Sequence, residues 1–242
     1  MIIRTIIMAM CCSVPMAAIA ADANKTLSGS AELGGTLTTG NTDTSSIKGA
    51  VKLEHEIANW HNTYEANALY SKDTDVVTAE RYFAGGQGDY ALDDRSYLFI
   101  NANYLKDPFT GYDYTITSAV GYGYTVFESQ QTKFDVEIGP GYLYQRLDEE
   151  QSALLGKDTE QSWVAHGVIN FETQLSESST FSQRFIGDYG DKFEGRSETA
   201  ITANIIGALA MKFAVVVRYN SEPLDDKKST DTETNMTLLY SF

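Results

Sequence analysis

Histidine and cysteine, the side chains that most often carry metal and nucleophilic chemistry, are scarce here: three histidines and two cysteines among 242 residues. Both cysteines, Cys11 and Cys12, lie in the leading segment. Once that segment is removed, neither a disulfide nor a thiolate metal site can form. Basic residues are few, 18 Lys and Arg against 33 Asp and Glu. Nucleic-acid binding rests on a basic surface, so no nucleic-acid partner is expected. Long apolar runs are also absent from the body of the chain. The nearest, Ile205–Val217, is interrupted by Lys212 and falls short of the roughly 18 residues a helical membrane span requires. The four prolines are scattered and no Pro-, Ser- or Gly-rich linker divides the chain, which predicts one domain.

The first residues carry one positive charge at Arg4, an apolar stretch from Thr5 to Val14, and the small-residue pattern Ala18-Ile19-Ala20. This is the layout of a secretory signal peptide, residues 1–20, leaving a mature domain over residues 21–242. Met10 before Cys11, and Cys11 before Cys12, argue against lipidation, which wants a small residue just ahead of the acylated cysteine. Removal costs only Arg4 among the charges, so the mature chain has 17 basic and 33 acidic side chains, net −16. Such an excess keeps a chain soluble during export.

A period of two dominates the body. At the C-terminus Thr234, Met236, Leu238, Tyr240 and Phe242 alternate with Glu233, Asn235, Thr237, Leu239 and Ser241. The first set is nearly all large and apolar, which makes a strand with one greasy face. Upstream, Ile47, Gly49, Val51, Leu53 and Ile57 oppose Lys48, Lys52, Glu54 and Glu56. From Tyr112 to Val126 the even positions read Tyr, Tyr, Ile, Ser, Val, Tyr, Tyr, Val, while the odd ones are mostly Gly, Thr and Asp. Twelve such segments are predicted, at 27–39, 44–58, 62–72, 80–92, 95–106, 112–127, 132–146, 161–175, 180–190, 196–208, 211–222 and 232–242. Strands of soluble sandwiches are usually about five or six residues. These are long enough, at about ten, to cross a bilayer.

The expected fold is therefore all-β, a transmembrane antiparallel β-barrel of twelve strands in the outer membrane of a Gram-negative envelope. Short connections at 59–61, 93–94, 128–131, 176–179 and 209–210 alternate with mostly longer ones at 73–79, 107–111, 147–160 and 223–231; those at 40–43 and 191–195, on the outside edge, are exceptions, being short or moderate. Outer-membrane barrels have this asymmetry, and an even strand number places both termini in the periplasm. Aromatic residues fall into two girdles on this layout. Tyr70, Tyr82, Tyr104, Tyr112, Tyr144, Trp163, Tyr189 and Tyr219 form the outer one; Tyr64, Tyr90, Tyr124, Phe134, Phe171, Phe213 and Phe242 form the inner.

Three stretches carry a likeness to a known family: Thr39-Gly40-Asn41-Thr42-Asp43-Thr44, Gly139-Pro140-Gly141-Tyr142, and Asn220-Ser221-Glu222-Pro223 with the terminal Leu238-Leu239-Tyr240-Ser241-Phe242. On these the chain resembles the salt-induced outer-membrane protein family of YdiY-like barrels, whose biochemical role is not settled. The resemblance implies location and fold rather than a mechanism, and brings no catalytic residues with it. The ending in Phe242 also resembles the signal by which such barrels reach the outer-membrane assembly machinery, a transient partner. Outer-membrane lipid and lipopolysaccharide are the expected surroundings.

The face opposite the apolar one carries Lys48, Lys52, Glu54, Glu56, Glu65, Arg81, Asp89, Lys133, Asp135, Glu137, Glu172, Arg184, Asp188, Glu198 and Arg218. These are the candidate lumen-lining residues. Charges of both signs can line a water-filled pore or knit the lumen shut by salt bridges. Carboxylates outnumber the basic groups, so a pore would show a mild cation preference. A passive channel for small solutes or ions, porin-like, is the first functional reading. A structural or salt- and osmotic-stress-adaptive envelope protein with a closed lumen is the second.

A lipid-acting enzyme is the third reading, and a poor one. Only His55, His61 and His166 are available; His55 shares the lipid-facing parity, His61 falls in a turn, and His166 has lumen parity. Neither Gly-x-Ser-x-Gly nor His-Glu-x-x-His occurs, so no enzyme activity, cofactor or metal is expected. Gly40-Asn41-Thr42-Asp43 has the composition of a tight hairpin turn. Pro140, flanked by Gly139 and Gly141, suggests a bulge or bend in the seventh strand. The acidic outer segments, Asp148, Glu149, Glu150 and Asp158 in one and Asp225, Asp226, Asp231 and Glu233 in or beside another, read as solvated loops diluted by Lys157, Lys227 and Lys228.

Export with cleavage after Ala20 is directly testable. N-terminal sequencing of the protein recovered from the cell envelope is expected to begin Ala21-Asp22-Ala23; a read beginning at Met1 would rule the signal out.

Overall fold

A computed structural model describes residues 27–39, 44–73, 76–224 and 227–242. The expected export signal and the Gly40-Asn41-Thr42-Asp43 turn lie outside the described residues. Twelve strands follow one another: β1 Leu27–Thr39, β2 Thr44–Ile57, β3 Trp60–Asp73, β4 Val76–Ala91, β5 Ser96–Asp107, β6 Tyr112–Glu128, β7 Thr132–Leu147, β8 Thr159–Ser176, β9 Ser179–Tyr189, β10 Phe193–Ile206, β11 Leu209–Asn220 and β12 Thr230–Ser241. Each pairs antiparallel with its sequence neighbours, and β12 returns to β1, so the sheet closes on itself. The seam runs from Ser30 opposite Ser241 to Thr39 opposite Thr232. Gly29 and Phe242 exchange backbone hydrogen bonds of 3.0 and 2.9 Å at its foot, so the terminal residue is part of the ladder. A closed ring leaves no open edge, which is what hydrocarbon surroundings demand.

Alternation decides which side chains face out. On β3, Tyr64 and Tyr70 are exposed on the outside while Leu69 is buried inside. Ile47, Ile100, Ile138 and Met236 are likewise exposed, Ile47 to 70%. An apolar band this extensive is unfavourable in water and favourable in lipid. The outer aromatics also touch one another: Tyr114 stacks between Tyr104 and Tyr144, and Trp163 meets Tyr142 edge-on. This is the architecture of outer-membrane barrels, as the strand pattern predicts.

Leu27, Phe242 and the connections 58–59, 92–95, 129–131, 177–178 and 207–208 lie at one end of the barrel, called here the turn end. The other, the loop end, is less uniform than the sequence suggests. The connection expected over 73–79 shrinks to residues 74–75, because Val76 and Val77 extend the ladder opposite Asp73 and Lys72 after a register shift at Ser71/Lys72. Phe193–Gly195 similarly prolong β10 by pairing with Tyr189–Gly187. Only 148–158 and 221–229 remain long. The first contains a helix, α1 Glu149–Leu155. Asp148 caps it by accepting a hydrogen bond from the Gln151 amide at 2.8 Å, Glu149 and Glu150 favour the helix N-terminus, and Gly156 ends it at φ 65°. The Asp-x-x-Gln pattern followed by glycine was available in the sequence as a capping signal.

Two positions depart from expectation. Tyr112, placed in the outer girdle by its parity, is buried inside the barrel. A register shift between Tyr112 and Tyr114 turns it round, since one extra residue exchanges the faces. Pro140, in contrast, bends no register: Ala119 opposite Gly141 and Tyr122 opposite Ile138 flank it in the same alignment. It faces outward. The glycines beside it serve close approach, for a Cβ on Gly139 would strike the Val120 carbonyl and one on Gly121 would strike Ile138 and the Phe99 ring. Phe99 lies across that bare stretch of wall.

Ile100 sits midway along β5 on the outer face, opposite Gly88 and Val120. Ile100→Arg is expected to lower unfolding free energy in phospholipid vesicles by about 2–4 kcal/mol in a urea titration. An unchanged midpoint would mean that this face does not meet lipid.

Candidate functional site

The inward faces of the twelve strands enclose a cavity of about 1130 Å³. Ala58, Asn59, Arg95 and Glu128 line it at the turn end, and Thr110, Pro223, Leu224 and Lys228 at the loop end, so it reaches both. Lys48, Lys52, Glu54, Glu65, Arg81, Asp89, Asp135, Glu137, Glu172, Arg184 and Arg218 all stand on its wall, together with Glu56, Lys133, Asp188 and Glu198. Apolar inward side chains, among them Leu143, Val164 and Val168, are buried and thicken the β7–β8 wall.

Toward the loop end the charges knot around Glu233, whose side chain is 2% exposed. Lys48 Nζ reaches it at 3.3 Å, Arg81 Nη1 at 2.7 Å and Arg218 Nη1 at 2.9 Å. Arg81 Nε also donates to Asp107 at 2.6 Å. Strands β2, β4, β5, β11 and β12 are thereby tied across the interior. Deprived of water, each of these charges depends on its partners, for an unpaired ion in such surroundings costs several kcal/mol. Two further groups follow. Lys212 lies 3.2 Å from Glu32 and 3.1 Å from Glu198, which also pairs with Arg196. Lys192 contacts Glu194 at 3.1 Å and donates to the Tyr112 hydroxyl, which in turn donates to Glu160 at 2.9 Å.

Toward the turn end the wall is acidic. Gln87 Nε2 donates to Asp89 at 2.9 Å and to Glu137 at 3.0 Å, and the Tyr97 hydroxyl donates to Glu137 at 2.9 Å. Thr125 donates to Asp135 at 2.7 Å. Neutral donors hold Asp89 and Glu137; among the described residues neither has an ion pair, and Glu137 Oε2 is buried without a hydrogen bond. Tyr97 reaches Glu137 across β6 because Gly123 lies beneath its ring.

A family profile described as "Protein of unknown function, DUF481" matches residues 31–242. The chain belongs to the DUF481 family. Its likeness to YdiY also holds at the level of the chain: the uncharacterized protein YdiY of Escherichia coli (strain K12) is 28% identical over 227 residues, covering 91% of this chain and 85% of that one. Among solved structures the NanC porin superposes with a TM-score of 0.57 at 10% identity, covering 87% of this chain and 98% of that chain. The KdgM porin gives 0.49 at 11% identity, covering 88% and 99%. At such identities the NanC likeness speaks for the fold of this DUF481 member and for nothing finer.

The three histidines fall in different environments. His55 lies on the outer face beside Val51 and Leu53. His61 opens β3 rather than sitting in a turn, and its Nδ1 meets Glu56 on the cavity side. His166 is buried, with Nδ1 at 2.7 Å from Asp188 and Nε2 at 3.3 Å from the Asn101 amide nitrogen. That amide occupies the place a nucleophilic hydroxyl would need. The loop carboxylates are engaged locally, Asp148 as a helix cap and Asp158 with Arg146 at 3.9 Å; Asp225 and Asp226 lie outside the described residues. Among the described residues no cluster of three or more His, Cys, Asp or Glu is placed to hold a metal.

Sequence reasoning missed the hub. Glu233 stands in the sequence on the polar face of the last strand with Asn235 and Thr237, beside an acidic outer segment; parity turns it inward, but nothing within the strand marks it as the partner of three cations. Glu233→Ala is expected to cost about 3–5 kcal/mol in denaturant titrations, because Lys48 and Arg218 lose the carboxylate they pair with and Arg81 is left with Asp107 alone. Glu56→Ala, at an exposed pair, is expected to cost less than about 1 kcal/mol. Equal losses would remove the hub from the stability argument.

Proposed function

We propose that this protein is a passive outer-membrane channel for small solutes or ions, with a mild preference for cations. The observation that carries the reading is the continuous cavity reaching both barrel ends between walls of charged and polar side chains. Carboxylates outnumber lysine and arginine along that wall. The basic groups toward the loop end are neutralised in pairs, whereas Asp89 and Glu137 at the turn end have only neutral donors. Fixed negative charge at one mouth raises local cation concentration and favours cation passage.

In this reading the chain is exported through its leading segment, handed to the assembly machinery by its terminal strand and Phe242, and embedded in outer-membrane lipid and lipopolysaccharide. Its termini and short turns then face the periplasm. No catalytic role is proposed. A second reading, a structural or osmotic-stress-adaptive envelope protein with a closed lumen, is favoured by one feature: the Glu233 hub ties five strands near the loop end, where Leu224 also leans over Gly111.

Planar-bilayer recording separates the two. The refolded mature chain is expected to give stepwise conductance, with a reversal potential under a salt gradient toward the cation side. Asp89→Asn with Glu137→Gln is expected to move that potential toward zero. Silence from a preparation with a folded β-barrel circular-dichroism spectrum would discard the channel and leave the closed reading.

A further inference from the structure

Glu65 on β3 and Arg184 on β9 are six strands apart in either direction around a ring of twelve, so they stand on opposite walls. Their charged groups nevertheless meet, with Arg184 Nη1 3.7 Å from Glu65 Oε1. Twelve strands spaced at about 4.8 Å and tilted at about 40° would make a circular barrel roughly 24 Å across. One arginine and one glutamate together reach well short of that. The barrel is therefore pinched between β3 and β9, and this pair spans the narrow chord.

The pair differs in character from the hub around Glu233. Its side chains are 38% and 35% exposed, so water reaches both. At 3.7 Å it is an ion pair without a direct hydrogen bond. Arg184 Nε is buried with no hydrogen-bond partner, which leaves the guanidinium a donor to spare. Among the described residues, each group is the other's one ion-pair partner. The charges are thus neither locked nor neutralised by a cage of neighbours.

Opposite charges on opposite walls set a field across the pore. An uncharged solute gains little from it, and a simple ion is drawn to one wall and repelled by the other. A solute carrying a carboxylate and an ammonium can replace both halves of the pair at once, the carboxylate meeting the Arg184 fork and the ammonium meeting Glu65. We propose that Glu65 and Arg184 form the selectivity constriction of this pore and that the class it favours is small zwitterions. The inference rests on the channel reading and adds to it the location of the filter and the class of solute.

The test is osmotic swelling of proteoliposomes, corrected for protein-free vesicles, with serine as the zwitterion and erythritol as an uncharged solute of similar size. Single-channel conductance is recorded on the same preparations. Serine is expected to enter several times faster than erythritol. In Glu65→Gln/Arg184→Gln the ratio is expected to fall to about one while conductance rises, because the bridge across the chord is gone. The exchanged variant Glu65→Arg/Arg184→Glu restores a transverse pair and is expected to recover the preference, which separates a lost filter from a misfolded wall. Conductance with a ratio near one in the unaltered protein, or a ratio untouched by the double glutamine change, overturns the filter and leaves the channel standing. No conductance and no swelling with either solute overturns the channel reading itself, and the filter with it.

Discussion

Every backbone amide and carbonyl that faces hydrocarbon must find a partner within the protein, and this requirement organises the molecule. A sheet meets it only by closing, so the β1–β12 seam matters as much as any other pairing. Closure brings Phe242 into the ladder beside Gly29 and brings the polar face of β12 against a lumen shared with all eleven other strands. The outside is then committed to apolar side chains. The inside has to accommodate whatever the alternating positions carry.

What they carry is charge, and the lumen handles it in two ways. Toward the loop end, acidic and basic groups compensate one another at short range, with Glu233 serving Lys48, Arg81 and Arg218 together. Toward the turn end, Asp89 and Glu137 are held by Gln87 and Tyr97, neutral donors that orient them without supplying a counter-charge, while Asp135 accepts from Thr125 and also pairs with Lys133 at 3.6 Å. The difference produces a pathway whose fixed charge varies along its length. Small residues shape it as well: inward glycines on β6 and β7 let Tyr97 and Phe99 lie flat over the wall, so side chains from β5 reach β7 and β8.

Local pattern explains why so much of the fold was legible in advance. Alternation along β2, β6 and β12 names both the strand and its two faces, because in a pleated strand the face of residue i predicts that of i+2. Lumen-facing assignments such as Glu65, Arg81 and Glu137 follow from the same rule. The misreadings are also local in origin. Tyr112 obeys the alternation until a single extra residue reverses it, and a bulge leaves no mark in the hydrophobic pattern. The helix at Glu149–Leu155 is too short for periodicity to reveal it, although Asp148, Gln151 and Gly156 spell its caps.

By itself, then, the sequence determined the strands, their apolar and polar faces and the closed all-β class, since these depend on neighbours one or two residues away and on the length of a bilayer crossing. Tertiary structure alone decided which charges meet. Lys48 and Glu233 are 185 residues apart in the chain and Arg81 and Glu233 are 152 apart, yet they bond inside the lumen. Which groups pair, where the barrel narrows and which carboxylates keep their charge are set by ring closure, strand register and the curvature of the wall, and none of these is encoded within a single strand.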